Sequence, residues 1–287
     1  MSTRTRTTSL LVLLQNRMDG RRNPMESDSD NKQSVESDVE RHSDLSKLGD
    51  GIWLSELPDG PRLRIIAGES HNRFLDRLYL PVETHLLTEN QVLVINRFRE
   101  SITKSDPQFA YNKWVKEIFR SVIDATRGPV LEVGPSLEPV IPHVTPDALL
   151  CDFDNDANRL NAERGFRTVH PRDLRQAIER PFKLIFGCFV FHFGLEADQA
   201  FNLVQALDED GVMVFNVLSK SAATRTSAIS RLSQAGLCFQ SVELEPLLGK
   251  RDVLFVGSKF EKASPYQIEI RGIIENLKVG KWPSANT

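Results

Sequence analysis

The stretch Val130-Leu131-Glu132-Val133-Gly134-Pro135 decides the fold, because an apolar run here ends abruptly in a glycine and a proline. Similar short apolar runs follow it along the chain, and the segments between them carry apolar residues at helical spacing. Strands are predicted over residues 129–133, 148–151, 167–169, 182–186, 211–217, 238–244 and 253–260. Helices are predicted over residues 157–164, 174–179, 197–207 and 222–235. This alternation predicts an α/β fold with a mostly parallel sheet and helices on both faces.

The last two predicted strands are joined by a connection of only eight residues, 245–252. Parallel neighbours need a longer crossover, so this pair is predicted to be antiparallel and to supply an antiparallel edge strand.

The chain before residue 126 follows a different pattern. Residues 1–50 pass from a basic arm to an acidic, polar segment, which predicts a disordered tail. Residues 51–125 are predicted to form a small, mainly helical cap, with a hairpin around Pro58-Asp59-Gly60-Pro61 and helices within 71–104 and after Asp106. The main domain is assigned to residues 126–262 and a C-terminal extension to residues 263–287.

Composition excludes several classes of protein. The chain has 287 residues, 36 basic against 39 acidic, for a net charge of −3, which argues against coating of nucleic acid or anionic membrane. The three cysteines show no CxxC pair, so neither a disulfide framework nor a metal site is expected. A cytoplasmic protein is expected, with a homodimer or a partner protein left open. The basic N-terminus fits either a transit peptide or a solvated arm.

Ligands of open α/β sheets bind where strands end at their carboxyl side, so the residues after each strand are the candidate site. Four such segments stand out. They contain Gly134-Pro135-Ser136 after the first strand, Asp152-Phe153 after the second, Asp173-Leu174 after the third, and Cys188, Phe189 and His192 after the fourth.

In this order the segments resemble the motifs of the class I S-adenosylmethionine-dependent methyltransferases, over roughly residues 128–260. The run from Glu132 to Pro139 fits a first-motif variant written EIGPSxxP. The resemblance implies a Rossmann-like domain, S-adenosyl-L-methionine as cofactor and a small-molecule substrate. It also implies a cofactor site made of Glu132, Gly134, Pro135, Ser136, Asp152, Phe153, Asp173, Leu174, Cys188 and Phe189.

The resemblance implies a role for each matched residue. Glu132 either answers the cationic end of the cofactor or organises the loop, and Gly134 lets the backbone approach the ligand. Asp152 would accept hydrogen bonds from both ribose hydroxyls, and Phe153 would lie against the adenine. Asp173 either contacts the adenine amino group or caps the next helix.

Two further residues have competing interpretations. His192 is the predicted catalytic general base, because an unperturbed imidazole titrates near neutral pH, and the alternative is a packing residue between phenylalanines. Asp154 or Asn155 is predicted to cap the helix that follows, which leaves Asp152 for the ribose.

Departures from the family keep two rival functions open. Only the first glycine of the family's GxGxG loop is present, Lys183 stands where an acid is usual, and Pro139, Pro142 and Pro146 argue against a long helix after the loop. These changes suit a catalytically silent scaffold or partner subunit. A nicotinamide-dependent dehydrogenase is the third hypothesis, disfavoured by the absence of GxGxxG.

Overall fold

The computed structural model describes residues 44–57, 60–74, 77–100, 107–219, 221–244 and 251–278. Residues 1–43 of the predicted tail, together with Asp106, lie outside the described residues. Within that part of the chain the strands form one five-stranded and one seven-stranded sheet.

The seven-stranded sheet has the order β11-β12-β10-β9-β6-β7-β8. Its strands are β6 (Val130–Val133), β7 (Ala148–Cys151), β8 (Arg167–Val169), β9 (Phe182–Gly187), β10 (Leu207–Ser219), β11 (Cys238–Glu243) and β12 (Arg251–Ser258). The pairs β6–β7, β7–β8, β6–β9 and β9–β10 are parallel, and β12 runs antiparallel to both β10 and β11. The sheet is therefore mixed.

The predicted antiparallel pairing of the last two strands is confirmed, and the pair lies at one edge of the sheet. The antiparallel strand β12 lies between β10 and β11, so that β11 forms the edge. Burial explains the order, because Val253, Leu254, Phe255 and Val256 of β12 are all buried whereas only Val242 of β11 is. An apolar strand of this kind needs neighbours on both sides.

Helices cover both faces of this sheet, as the sequence predicted. The helices are α1 (Glu89–Glu100), α2 (Pro107–Ala125), α3 (Asn155–Glu163), α4 (Leu174–Ala177), α5 (Ala197–Ala206), α6 (Ala222–Gln234) and α7 (Pro265–Leu277). One core contains residues of α2 and α7, and the other contains residues of α4, α5 and α6. Successive strand residues alternate between the two cores, as Leu184 and Ile185 do, because side chains of a strand point to opposite faces.

Strands lie within residues 45–80, where the cap was predicted to begin, whereas α1 and α2 lie where its helices were predicted, within 71–104 and after Asp106. Strands β1 (Leu45–Gly49), β2 (Ile52–Ser55), β3 (Leu63–Ile66), β4 (Glu69–Phe74) and β5 (Leu78–Leu80) pair antiparallel in the order β1-β2-β5-β4-β3. The predicted hairpin is wrong, since β2 pairs with β1 and β5 while β3 pairs with β4.

Two features of the sequence explain why the small sheet was not predicted. Phe74 and Leu78 stand four residues apart, which mimics a helical face, yet they pair with each other across adjacent strands β4 and β5. The segment 45–49, assigned to the tail, pairs with β2 through a register shift between Lys47 and Gly49. Strands this short carry little sequence signal of their own.

Domain boundaries also move. Helix α2 was assigned to the cap and α7 to the C-terminal extension, but residues of both helices belong to one core of the large sheet. Helix α1 instead packs its Ile95 against Ile52, Leu78 and Leu80 of the small sheet.

Candidate functional site

The carboxyl ends of β6, β7 and β9 open into a cavity of about 1030 Å³. We call the residues at and after the ends of these strands (132–140, 151–153 and 188–196) the floor. We call α1, α2 and the 3-10 turn Thr84–Leu86 the roof, and residues of both groups line the cavity. The predicted cofactor residues Glu132, Gly134, Pro135, Ser136, Asp152, Phe153, Leu174, Cys188 and Phe189 all line it.

Glu132 organises the loop that follows its own strand. Its carboxylate accepts hydrogen bonds from the backbone N–H of Val140 at 2.8 Å and of Ile141 at 3.1 Å, and the residue is only 1% exposed. Burial raises the pKa of this carboxyl to about 7, although the two backbone donors oppose the shift. No helix forms between β6 and β7, as the three prolines predicted, so Glu132 supplies acceptors for the loop's N–H groups.

Gly134 is needed for close packing of the chain, and its predicted approach to a ligand stays a prediction. Its φ is +66°, a left-handed conformation, and a Cβ there would collide with the side chain of Val190 from the loop after β9. The glycine therefore lets two floor loops pack against each other.

Asp152 ties the first floor loop to the second. One carboxylate oxygen accepts the Ser136 N–H at 2.8 Å and the other accepts the Asp154 N–H at 2.9 Å. Burial raises the pKa of Asp152, which is 2% exposed. Asp154 caps α3 by accepting from the N–H groups of Asp156 and Ala157, which confirms the predicted cap and leaves Asp152 on the floor.

Phe189 is held in place from below by a buried polar network. Its φ is +59°, and its N–H donates to Asn216 Oδ1 at 2.7 Å. The Asn216 amide then donates to both oxygens of Asp252 at 3.1 and 3.0 Å, and Tyr111 Oη donates to the same carboxylate at 2.9 Å. Burial raises the pKa of Asp252 to about 6, opposed by these two side-chain donors.

Cys188, beside Phe189, is a poor nucleophile. Burial raises the pKa of its thiol well above the ordinary range, so the group stays protonated at neutral pH.

Two of the predicted site residues do not line the cavity. Asp173 is exposed and, although it precedes α4, its side chain makes no capping hydrogen bond. His192 is 3% exposed, with its ring centroid 4.0 Å from that of Phe193 and 5.9 Å from that of Phe74. This placement favours the packing interpretation of His192, and its role as a general base stays a prediction.

The roof contributes residues that the sequence did not reveal. His85 lines the cavity, and so do four basic residues of α1 and α2: Arg99, Lys113, Lys116 and Arg120. The only signal for the basic set was their recurrence at helical spacing, which also describes any solvated helix face. Phe109 of α2 also lines the cavity, whereas Trp53, Tyr111 and Trp114 lie outside its lining.

Neither a metal site nor a membrane span is found in the part of the chain that the structure describes. No group of three or more His, Cys, Asp or Glu residues could hold a metal ion there. None of the helices described combines the length and the apolar character needed to cross a bilayer.

No protein-family model and no curated protein matches the chain. Among solved structures, a TehB-like SAM-dependent methyltransferase from Corynebacterium glutamicum is similar at 18% identity and a TM-score of 0.43, over 60% of this chain and 97% of that chain. The N-methyltransferase NodS from Bradyrhizobium japonicum, in complex with S-adenosyl-L-homocysteine, is similar at 16% identity and a TM-score of 0.43, over 61% of this chain and 98% of that chain. Likeness at this distance establishes neither family nor function.

Proposed function

We propose that the protein is an S-adenosyl-L-methionine-dependent methyltransferase that acts on a small molecule by in-line methyl transfer. One observation carries the proposal: residues from four separate segments, 132–136, 152–153, 174 and 188–189, line one cavity at the carboxyl edge of the sheet. Those are the segments, in the same chain order, whose sequence resembles the methyltransferase motifs.

The chemistry of the floor fits this cofactor. Each oxygen of Asp152 accepts one backbone N–H, and a carboxylate oxygen has a second lone pair that can accept a ribose hydroxyl. Phe153 and Leu174 supply apolar surface for a purine ring. When bound, the cofactor supplies a methyl group on a positively charged sulfur. The floor contributes acidic residues to the cavity lining that suit such a cation, namely Glu132, Glu138, Asp152 and Glu196.

The size of the cavity supports a small-molecule acceptor. Ligand sites of about 300–1,000 Å³ typically enclose most of a drug-sized molecule. A cavity of about 1030 Å³ therefore has room for cofactor and acceptor together. The protein's own contribution is to hold both reactants in line and to keep water out, which can supply a large part of the rate enhancement.

Calorimetry with S-adenosyl-L-homocysteine tests the proposal. We expect saturable binding by the full chain, and at least a tenfold weaker affinity in Asp152→Asn, because a charged acceptor is lost. Asp156→Asn is the matched control, since Asp156 lies four residues further on with a side chain that is 65% exposed and outside the cavity lining. Absence of binding by folded wild-type protein at high micromolar ligand would contradict the proposal.

A silent methyltransferase-like partner subunit is the alternative function. The observation that favours it is that Ser136 and Asp154 already occupy one lone pair on each oxygen of Asp152, so that the loop is closed without a ligand. Binding of S-adenosyl-L-homocysteine without turnover, together with co-purification of an active methyltransferase, would favour this alternative over the enzyme.

A further inference from the structure

A hydrogen-bonded relay lies where the roof meets helix α6. His85 Nδ1 is 3.1 Å from Thr224 Oγ1, and that hydroxyl donates to Glu83 Oε2 at 3.3 Å. Thr84 Oγ1 lies 3.3 Å from the same hydroxyl. Thr224 is fully buried, at 0% exposure, so its contacts are shielded from competing water. The relay connects the turn Thr84–Leu86 to the first turn of α6.

The position of this turn is set by close packing against the floor. A Cβ at Gly194, in the loop after β9, would stand 2.7 Å from the backbone oxygen of His85. The side chain at this point has to be a hydrogen atom, so Gly194, with a φ of +91°, lets the turn carrying His85 sit directly on the floor loop.

Proton counting fixes the tautomer of His85. A threonine hydroxyl has one proton and two lone pairs, and a carboxylate can only accept. The Thr224 proton is donated to Glu83, so both Thr84 Oγ1 and His85 Nδ1 have to donate to Thr224. With its proton on Nδ1, the imidazole keeps a lone pair on Nε2. That nitrogen has no hydrogen-bond partner among the described residues, and His85 lines the cavity.

The charges of the roof add a second, independent observation. Four basic residues of the roof line the cavity against one acidic residue, Glu89 of α1. Lys113 has no ion-pair partner in the described part of the chain, and the Arg99 guanidinium lies over the ring of Phe189 at 5.9 Å. Cations on this side of a cavity attract an oxyanion and repel an ammonium group. An acceptor whose oxygen carries developing negative charge suits this roof, and a protonated amine does not.

We propose that the acceptor reacts through an acidic hydroxyl, of the phenol or enol class, and that His85 Nε2 is the general base that takes its proton. Thr224 and Glu83 are positioning residues that hold the proton on Nδ1. The inference rests on the proposed function and narrows it from methyl transfer in general to transfer onto oxygen.

One turnover moves one proton and one methyl group. The hydroxyl proton moves to His85 Nε2, and an oxygen electron pair forms the new O–C bond to the methyl group. The S–C bonding pair stays with sulfur, which becomes a neutral thioether. The imidazolium then returns its proton to water, and the roof cations stabilise the oxygen while its charge develops.

Nitrogen-15 NMR of the histidine rings tests the relay without any acceptor. We expect His85, assigned by comparison with His85→Gln, to carry its proton on Nδ1 in the wild-type chain. Thr224→Val keeps the side-chain shape but removes the hydroxyl, so both tautomers should then be populated. A purely structural threonine would leave the tautomer unchanged. A wild-type spectrum with the proton on Nε2 would overturn the proposal.

A matched pair of acceptors tests the substrate class. We expect 1-naphthol to be methylated and 1-aminonaphthalene, which has the same ring system, to be methylated far more slowly or not at all. His85→Gln should lower the rate with 1-naphthol by about 10²–10⁴-fold, the usual contribution of a general base. The exposed His143, replaced by glutamine, serves as the control and should have no effect.

The experiments distinguish failure of the hydroxyl assignment from failure of the proposed function. Methylation of the amine without the naphthol, or of neither compound, by protein that binds S-adenosyl-L-homocysteine would overturn the hydroxyl assignment and leave the cofactor proposal standing. A folded protein that does not bind S-adenosyl-L-homocysteine would overturn the proposed function itself, whatever the tautomer of His85.

Discussion

The floor and the roof of the cavity are built on different physical terms. Two floor carboxylates are buried, at 1% exposure for Glu132 and 2% for Asp152, and they accept backbone N–H groups of the floor segments. Roof side chains such as Lys113 are exposed, and Arg97 of α1 is half exposed. These floor carboxylates are thus held by hydrogen bonds in a low-dielectric environment. The roof has buried hydrogen bonds at its ends, at Thr84 and Tyr111, and the charged side chains that it presents to the cavity are more exposed and their ion pairs are screened by solvent.

This difference suggests that the floor and the roof bind different ligands. A preorganised floor suits a constant ligand that has to be held in one geometry, and a more exposed roof suits a variable acceptor. We therefore expect large effects from floor substitutions on stability, and small effects from substitutions in the contacts between roof and floor.

The largest effect is expected for Gly134→Ala on the floor. The alanine would have to adopt a φ of +66° and would meet the side chain of Val190. A left-handed residue and an overpacked contact together cost about 2–5 kcal/mol in the free energy of unfolding. Urea unfolding measures the loss.

Gly272→Ala is the control for this change. Gly272 lies in α7, and an added Cβ there has nothing within 4 Å. Alanine in a helix should stabilise the protein by about 0.5–1 kcal/mol. Equal effects of the two substitutions would mean that the floor loops are not packed as described.

Glu132→Gln should remove much of the pH dependence of stability. The pKa of Glu132 rises from 4.5 in the unfolded chain to about 7 in the fold, so the native state binds more protons between these pH values. The free energy of unfolding therefore falls as pH rises from about 4.5 to about 7, by about 3 kcal/mol from this group.

The measurement is urea unfolding of both proteins at a series of pH values from 5 to 8. A smaller slope should remain in the variant, because burial also raises the pKa of Asp152 and of Asp252. The exposed Glu138 replaced by glutamine should keep the wild-type slope. Identical slopes in Glu132→Gln and wild type would show that this carboxyl is not desolvated.

Tyr111→Phe tests the connection between α2 in the roof and the network under the floor. The phenol donates to the buried Asp252 carboxylate, and loss of a hydrogen bond to a charged group costs about 1.5–3 kcal/mol. Tyr266→Phe in α7 is the matched control, since its hydroxyl bonds the neutral Thr126 and should cost about 0.5–1.5 kcal/mol. Chemical denaturation of both variants compares them. If Tyr111→Phe lowered the free energy of unfolding no more than Tyr266→Phe, the hydrogen bond from Tyr111 to Asp252 would not stabilise the contact between α2 and the network under the floor.

The smallest effect is expected for Arg97→Gln. Arg97 of α1 reaches Asp154, the cap of α3, at 3.2 Å, but its side chain is 44% exposed. Partly exposed pairs contribute about 0.2–1 kcal/mol, and salt weakens them further. Arg159→Gln, which breaks a fully surface pair with Glu163, sets the baseline. The free energy of unfolding should be measured at low salt and at 1 M salt. A decrease of several kcal/mol in Arg97→Gln at both salt concentrations would contradict this prediction.

The floor could be predicted from sequence because its signals are local. Apolar strands such as β9 are buried on both faces and read as continuous apolar runs, and the residues that follow them have to lie at one edge of a parallel sheet. Glu132, Asp152 and Phe189 were found in this way, and all three line the cavity.

The small N-terminal sheet and the cavity-lining residue His85 could not be predicted in the same way. Strand β3 exposes Leu63 and Ile65, so its apolar residues mark no buried face, and β5 has only three residues. No sequence pattern marked His85, because Thr224, which contacts both His85 and Glu83, lies at least 139 residues away in the chain. His192 had the stronger local motif, yet aromatic packing places it outside the cavity lining.

The sequence by itself determined the order of strands and helices after residue 128, the carboxylates at the strand ends and the loop without a helix. Each of these follows from residues within a few positions of one another. Only the tertiary structure decided that β12 enters the sheet before β11, that the N-terminal segment is a sheet, and that His85 meets Thr224 at the cavity. These features depend on which residues, distant in sequence, become buried together, and a local sequence pattern does not specify that packing.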